Sequence, residues 1–291
     1  MSKTNILFII NPISGGKRKV KIPDLITAHL DGTQFQPTCI FTDYAGHAAE
    51  LATAATDFGM VVAVGGDGTV NEVASALVGT HKPLGIIPLG SGNGLARFLK
   101  IPMNTKRAIQ LLNHHRQLRM DAAKMNGRYF FNMAGMGFDA HISLIFAHNK
   151  SRGLKGYVEM GLKEIISYKP QTYHIEIDGE KLDRTALAIS IANSAQYGNN
   201  VYISPKSSID DGLLDVCIVK NFPKYKLPIL AYQMIRSLTD RSDLVEIIQG
   251  RSIQIKREKK DAVHLDGEPF MMGNNIDVTI LPLSLTVIVR P

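Results

Sequence analysis

Three short segments combine glycine with side chains suited to a phosphate. They are Asn11-Pro12-Ile13-Ser14-Gly15-Gly16-Lys17-Arg18, Gly65-Gly66-Asp67-Gly68-Thr69-Val70-Asn71-Glu72 and Pro88-Leu89-Gly90-Ser91-Gly92-Asn93-Gly94. Glycine lets the backbone approach a ligand and aim several N–H groups at it, and the positive end of a following helix adds attraction for an anion. Asp67 is the unusual member. A carboxylate facing phosphates is repelled unless it binds Mg2+, often through water, or accepts the proton of an attacking hydroxyl. Both tasks belong to phosphoryl transfer. The bland reading of Asp67, a cap on the helix that begins near Thr69, does not call for glycines on both sides.

Other signatures are missing or incomplete. A P-loop ends in Gly-Lys-Ser/Thr, which no segment has, and a dinucleotide fingerprint needs glycine where Asn71 follows Gly66 and Gly68. The acidic residue that would hold a ribose after the next strand is replaced by Pro88-Leu89-Gly90, so hydride transfer is disfavoured. No Gly-x-Ser-x-Gly occurs, and the 9 histidines show no metal spacing.

The elements that must position these residues follow from hydrophobic patterning. Apolar runs at 5–10, 60–64 and 84–87 precede the three segments, and a fourth at 37–41 leads into Thr42-Asp43. Helical spacing fills the intervals at 47–56, 69–78 and 105–115. Apolar strands alternating with helices predict a parallel α/β sheet covered on both faces, whose strand-to-helix turns open on one ligand-binding edge. From about Met120 the texture changes. Strand-like runs at 118–124, 129–133, 172–177, 186–192, 213–220, 252–256 and 278–289 follow one another more directly. Asn126-Gly127, Asp178-Gly179, Asp211-Gly212 and Asp266-Gly267 punctuate them as antiparallel turns do. Helical stretches interrupt at 140–167 and 225–238. The expectation is an α/β domain over 1–118 and a mostly-β domain over 119–291, closely packed because no linker separates them.

The 291 residues suffice for about two domains. With 45% hydrophobic and 20% charged residues, the chain is not disordered, collagen-like or a disulfide scaffold. A net charge of +7 suits phosphate-bearing ligands, nucleic acid or an anionic lipid surface. Nucleic acid is set aside, since aromatics are 7% and no recognition motif occurs. Cys39 and Cys217 are expected as reduced thiols on buried strands of a cytoplasmic protein. No run approaches the ~18–20 apolar residues of a bilayer span and no signal-peptide cleavage site is present, so membrane association is expected to be peripheral.

Taken in order, Asn-Pro-x-Ser-Gly-Gly at 11–16, Gly-Gly-Asp-Gly-Thr-Val-Asn-Glu at 65–72, Gly-Ser-Gly-Asn at 90–93, Ser208-Ile-Asp-Asp211-Gly212-Leu213 and His264-Leu-Asp266-Gly267-Glu268-Pro269 resemble the diacylglycerol kinase catalytic-domain family. Bacterial lipid kinases, sphingosine kinases and ceramide kinases share these motifs, with NAD kinases as more distant relatives. The resemblance spans nearly the whole chain. It implies an ATP- and Mg2+-dependent lipid kinase that moves the γ-phosphate to a lipid hydroxyl, that of diacylglycerol or a related lipid. It also implies an N-terminal nucleotide-binding domain, a C-terminal β-sandwich, an active cleft between them and a last segment that returns to the first domain.

By position, the resemblance places Asn11, Pro12, Ser14, Gly15, Gly16, Thr42, Gly65, Gly66, Asp67, Gly68, Thr69, Asn71, Glu72, Ser91 and Asn93 at the nucleotide. It makes Asp67, Asp266 and Glu268 the catalytic carboxylates, with the choice of base open. Ser208, Asp211 and the Leu213 carbonyl match a structural Mg2+ site, and their oxygen-only character suits a hard cation. The implied partners are ATP and a lipid met at a membrane surface. A homodimer is compatible with the sequence, which does not specify the oligomeric state. Gly94 departs from the pattern, since many bacterial members carry Asp there, and this leaves the metal arrangement and the lipid open.

Two rival readings stand beside this one: a soluble-metabolite kinase of the NAD kinase-like superfamily, and a non-catalytic nucleotide-binding protein. Asp266-Gly267 and Asp211-Gly212 also read as plain turns, and Asn71-Glu72 as an ordinary first helical turn. The basic clusters Lys17, Arg18, Lys19, Lys21 and Arg251, Lys256, Arg257, Lys259, Lys260 read as solvated faces, or as attraction for ATP and for anionic headgroups. Residues 138–146 read as a lipid entrance or a core helix. Replacing Asp67 by Asn is expected to abolish transfer and leave the melting temperature in place.

Overall fold

Four apolar runs near the N-terminus become parallel strands: β1 (Thr4–Ile10), β2 (Phe35–Phe41), β3 (Met60–Gly65) and β4 (Leu84–Pro88). The computed structural model describes residues 3–14, 21–148, 160–161 and 163–291, the side chains of 146–148 excepted. The strand order is β2-β1-β3-β4. Phe8 stands opposite Cys39 on one side and Val62 on the other, and Val62 stands opposite Gly85. Strands β3 and β4 and most of β1 are buried, which is why they read as unbroken apolar runs. Strand β2 is the edge, where Pro37 costs no ladder bond. Cys39 is consequently only half-buried, against expectation, while Cys217 is fully buried; both are free thiols.

Helices α1 (Ile22–His29), α2 (His47–Ala54), α3 (Asp67–Leu77), α4 (Gly94–Phe98) and α5 (Thr105–Asn113) connect and follow these strands. Helix α5 buries Ala108, Ile109, Leu111 and Leu112, and Asn104 caps it by accepting the Arg107 N–H. One unit of the chain comprises Met1–Met120 and Leu283–Pro291, so the terminal residues belong with the first strands. There Val287 pairs in parallel with Leu84, and the Gly79 N–H donates to the Ser284 carbonyl at 2.8 Å.

The other unit, Asp121–Pro282, is mostly antiparallel. Its elements, with the strand that leads into it, are β5 (Arg116–Met125), β6 (Arg128–Phe130), β7 (Met133–Gly137), α6 (Phe138–His148), β8 (Gln171–Ile177), β9 (Glu180–Ala192), β10 (Gln196–Gly198), β11 (Val201–Tyr202), β12 (Leu214–Lys220), α7 (Leu227–Ile235), β13 (Val245–Gly250), β14 (Ser252–Arg257), β15 (Asp261–Leu265), β16 (Glu268–Met272) and β17 (Asn275–Val289). Strand β9 organises them. One of its edges carries β8 along the first half and β7 along the second, while β12 takes the opposite edge and pairs onward to β13. Alternation sends Tyr173, Ile175 and Ile177 of β8, Ile253 and Ile255 of β14, and Ile276 and Val278 of β17 into one core with Phe130, Val216 and Val263.

Asn126-Gly127, Asp178-Gly179 and Asp266-Gly267 each have two positive φ angles and join β5–β6, β8–β9 and β15–β16, as type I′ turns require. Asp211-Gly212 is different. Only Gly212 has positive φ, and its N–H donates at 2.8 Å to the buried Asp121 carboxylate. The expected strand at 129–133 breaks between β6 and β7, where the backbone N–H groups of Phe131 and Asn132 turn to a side chain. Of the helix expected over 140–167, α6 covers the start, and residues 149–159 and 162 lie outside the described residues. Ala140 and Ile142 are buried and Phe138 packs edge-on against Tyr168, so this part of 138–146 is core. Arg257 is not part of a solvated face either. It is buried and donates to the carbonyls of Asp261, Ala262, Met272 and Gly273. Among the described residues no helix is long and apolar enough to cross a membrane.

Candidate active site

The first turn leaves β1 at Asn11. Its backbone N–H still donates to the Val64 carbonyl of β3 at 3.0 Å. Its side-chain oxygen accepts the Ile13 N–H at 3.1 Å, and its amide nitrogen donates to Thr69 Oγ1 at 3.0 Å. Ser14 Oγ accepts the Gly66 N–H at 3.3 Å. The turn after β1 is thereby tied to the start of α3. Pro12 lies between these anchors, while Gly15, Gly16, Lys17, Arg18 and Lys19 lie outside the described residues.

Strand β3 passes into α3 at Gly66, an N-cap with no side chain to satisfy the first-turn N–H groups. Such a helix start favours an anion. Asp67 reaches beyond its own helix. Its Oδ2 accepts the Asn93 N–H at 2.7 Å and its Oδ1 the Gly94 N–H at 2.8 Å, so it caps α4 across the gap between the turns. Glu72 does the same for α2, accepting the Gly46 and Ala48 N–H groups at 3.0 and 3.2 Å. Asn71 accepts the Ser75 hydroxyl at 3.3 Å.

The turns after β3 and β4 also touch through their backbones. A Cβ on Gly90 would stand 2.6 Å from the Gly66 Cα, and the Leu89 N–H donates to the Gly65 carbonyl at 2.7 Å. These glycines therefore serve loop-on-loop contact as well as any ligand. Asn93 holds a left-handed φ of 54° and closes its own turn, accepting the Gly90 N–H at 3.0 Å and donating to the Gly90 carbonyl at 2.7 Å. Gly94, where the resemblance suggested a lost anchor, is itself held by Asp67. Gly68 and Ser91 are exposed, and the Thr42 N–H donates to the Ile10 carbonyl at 2.9 Å at the end of β1.

In the other unit, Asp266 occupies the first position of the β15–β16 turn. Its carboxylate accepts the N–H groups of Phe131 (3.0 Å), Asn132 (2.8 Å) and Met133 (3.0 Å). Glu268 opens β16 and is exposed. His264, two residues before Asp266, is 3% exposed and places Nε2 2.7 Å from Asp139 Oδ2 of α6. Ser190 donates to the same oxygen at 3.4 Å and is hydrogen-bonded to the Tyr197 hydroxyl. Burial alone would lower the His264 pKa, but the charge and hydrogen bond of Asp139, with the charge of Asp266, raise it above its ordinary value. The pairing with Asp139 escaped the sequence reading because the partners lie 125 residues apart.

The Ser208 hydroxyl donates to Asp210, and Asp211, which is exposed, accepts the Leu213 N–H at 3.0 Å. Among the described residues no three His, Cys, Asp or Glu side chains gather as a metal-ligand group. The set formed by Ser208, Asp211 and the Leu213 carbonyl contains only one such side chain.

The chain matches the diacylglycerol kinase catalytic domain over residues 5–125 and the YegS C-terminal NAD kinase beta sandwich-like domain over residues 132–289. A probable lipid kinase YegS of Escherichia coli is 33% identical over 251 residues, covering 82% of each chain. A probable YegS-like lipid kinase of Chromohalobacter salexigens is 31% identical over 249 residues, covering 82% of this chain and 79% of the relative. A solved diacylglycerol kinase structure from Bacillus anthracis shares the fold at a TM-score of 0.75, with 21% identity, over 100% of this chain and 98% of that one. Two consecutive domain matches that span most of the chain, with a third of residues shared with a probable lipid kinase YegS over 82% of each chain, place the chain in the YegS-like lipid kinase family built on a diacylglycerol kinase catalytic domain.

Proposed function

We propose that this phosphotransferase uses ATP and Mg2+ to phosphorylate a hydroxyl of a lipid, diacylglycerol or a relative of it, which it meets from the aqueous side of a membrane. One observation carries the reading: the turns after β1, β3 and β4 are hydrogen-bonded to one another around an α3 N-terminus that its own N-cap leaves open. Backbone N–H groups at the start of α3, with Asn11, Pro12 and Ser14 beside them, hold the phosphate oxygens, and Gly15 and Gly16, outside the described residues, are assigned to the same ligand. Thr42, Asn71, Glu72, Ser91 and Asn93 complete the nucleotide side, several of them by fixing the turns rather than by touching the ligand.

Among Asp67, Asp266 and Glu268, one carboxylate accepts the hydroxyl proton as it is lost, and the others orient water. Asp266 is held by three N–H groups, whereas Glu268 is exposed. The donors at Ser208, Asp211 and the Leu213 carbonyl are all oxygen, include an exposed carboxylate, and fit a hard divalent cation. Mg2+ supplies charge neutralisation for crowded phosphate oxygens.

The test is incubation of the purified protein with labelled ATP, Mg2+ and a panel of diacylglycerol, monoacylglycerol, sphingosine, ceramide and a water-soluble polyol, followed by separation of the products. Label in a phosphorylated lipid is the expected result. Label only in the soluble acceptor, or nucleotide binding with no turnover on any acceptor, would overturn the proposal.

A further inference from the structure

Helix α7 faces two ways. Leu227, Leu230 and Met234, three to four residues apart, pack inward with Phe222, Ile203 and Leu244. On the outer side Ile229 (50% exposed), Tyr232 (59%) and Ile235 (63%) recur at the same spacing and stand in solvent, as does Tyr225 (76%) in the 3-10 turn Lys224–Lys226 just before the helix. A surface helix normally turns charged residues outward, so large apolar side chains aligned on the open face call for an occupant.

The charge around this stripe selects the occupant. Between residues 220 and 239 there is no Asp or Glu, whereas Lys220, Lys224, Lys226 and Arg236 flank or interrupt the stripe. Of the acids that follow, Asp240 is engaged by Lys206 at 3.0 Å, Glu246 is paired with Arg184 at 2.8 Å and also feels the charge of Lys220, and Asp243 is exposed. The Lys224 ammonium nitrogen is covered and has no hydrogen-bond partner among the described residues, so the accessible cations beside the stripe are Lys220, Lys226 and Arg236. A second copy of this chain is a poor fit, because two-fold pairing of one face would set lysine against lysine. Tyrosine and isoleucine bordered by snorkelling cations instead match the boundary between headgroups and acyl chains.

We infer that the outer face of α7 is a docking surface for an anionic lipid bilayer. Tyr225, Ile229, Tyr232 and Ile235 enter the interface, and Lys220, Lys226 and Arg236 meet headgroup phosphates. The inference does not depend on phosphoryl transfer, and its test contains neither ATP nor an acceptor lipid.

The full-length protein is sedimented with vesicles of equal parts phosphatidylglycerol and phosphatidylcholine, and with phosphatidylcholine vesicles alone. Preferential binding to the anionic vesicles is expected. The double variant Ile229→Ser/Tyr232→Ser is expected to bind at least about tenfold more weakly, since each side chain contributes through buried apolar area. Lys220→Gln and Lys226→Gln are each expected to lose about fivefold. Thermal unfolding of all variants should match the parent, since these side chains lie at the surface. Equal binding of both vesicle types, undiminished binding by the variants, or a dimer that Ile229→Ser/Tyr232→Ser converts to monomer without changing vesicle binding would overturn the assignment.

Discussion

Asp67 accepts two backbone N–H groups, at 2.7 and 2.8 Å, from the turn that follows β4. An asparagine in its place must turn its amide nitrogen toward one of those donors. Asp67→Asn is therefore predicted to lose both phosphoryl transfer and about 1–3 kcal/mol of stability, because a buried N–H is left unpaired. This revises the expectation, drawn from sequence alone, that melting would be unaffected. Urea unfolding of the variant checks it, and an unchanged midpoint would deny the carboxylate its structural part. The Asp139–His264 pair gives a second prediction, with a definite sign in pH. The folded-state pKa of His264 is raised, so its contribution is fully present below the unfolded value of about 6.5 and is lost as pH climbs through the folded value. Melting temperature measured across neutral to alkaline pH should fall in that window for the parent. In Asp139→Asn the fall should be absent and overall stability lower by about 3 kcal/mol, as expected when a buried charge loses its partner.

Helices α2, α3 and α4 behave as one device, because α3 lends Glu72 to the start of α2 and Asp67 to the start of α4. Their mutual placement depends on the glycine contact between the turns. Gly90→Ala would bring a methyl group to 2.6 Å from the Gly66 Cα, and backbone cannot swing aside as a flexible side chain can. Weaker nucleotide binding is predicted, with a stability loss of about 1–3 kcal/mol, and titration calorimetry with a non-hydrolysable ATP analogue measures the first. Unchanged affinity would mean that the spacing of these turns is irrelevant to the ligand. At this scale the sequence was readable where one physical cause dominated. Buried parallel strands are unbroken apolar runs, and three of the four Asx-Gly pairs read as antiparallel turns after Met120 are type I′ hairpins. Strands β15 (DAVHL) and β16 (EPFMM) were missed because charged residues and a proline interrupt their alternation. Helix α1 hid behind Pro23, and α4 is only five residues long. The positions of the glycine turns were legible, but the uses of Asp67 and Glu72 were not. Their partners lie 24–27 residues away in chain order, and local spacing carries no trace of such bonds.

For the molecule as a whole, the net charge of +7 suits the anionic nucleotide of the proposed reaction. Added salt should accordingly raise the KM for ATP more than it lowers kcat, because screening acts on encounter and ground-state attraction. The claim on which the rest depends is that the turns after β1, β3 and β4 hold the triphosphate. Hydrogen exchange, followed peptide by peptide with and without a non-hydrolysable ATP analogue and Mg2+, tests it most directly. Nucleotide should slow exchange in segments 65–72 and 90–94 beyond any change elsewhere in the strands of the same unit. A protein that transfers phosphate yet shows the same exchange in both segments with and without nucleotide would contradict the account.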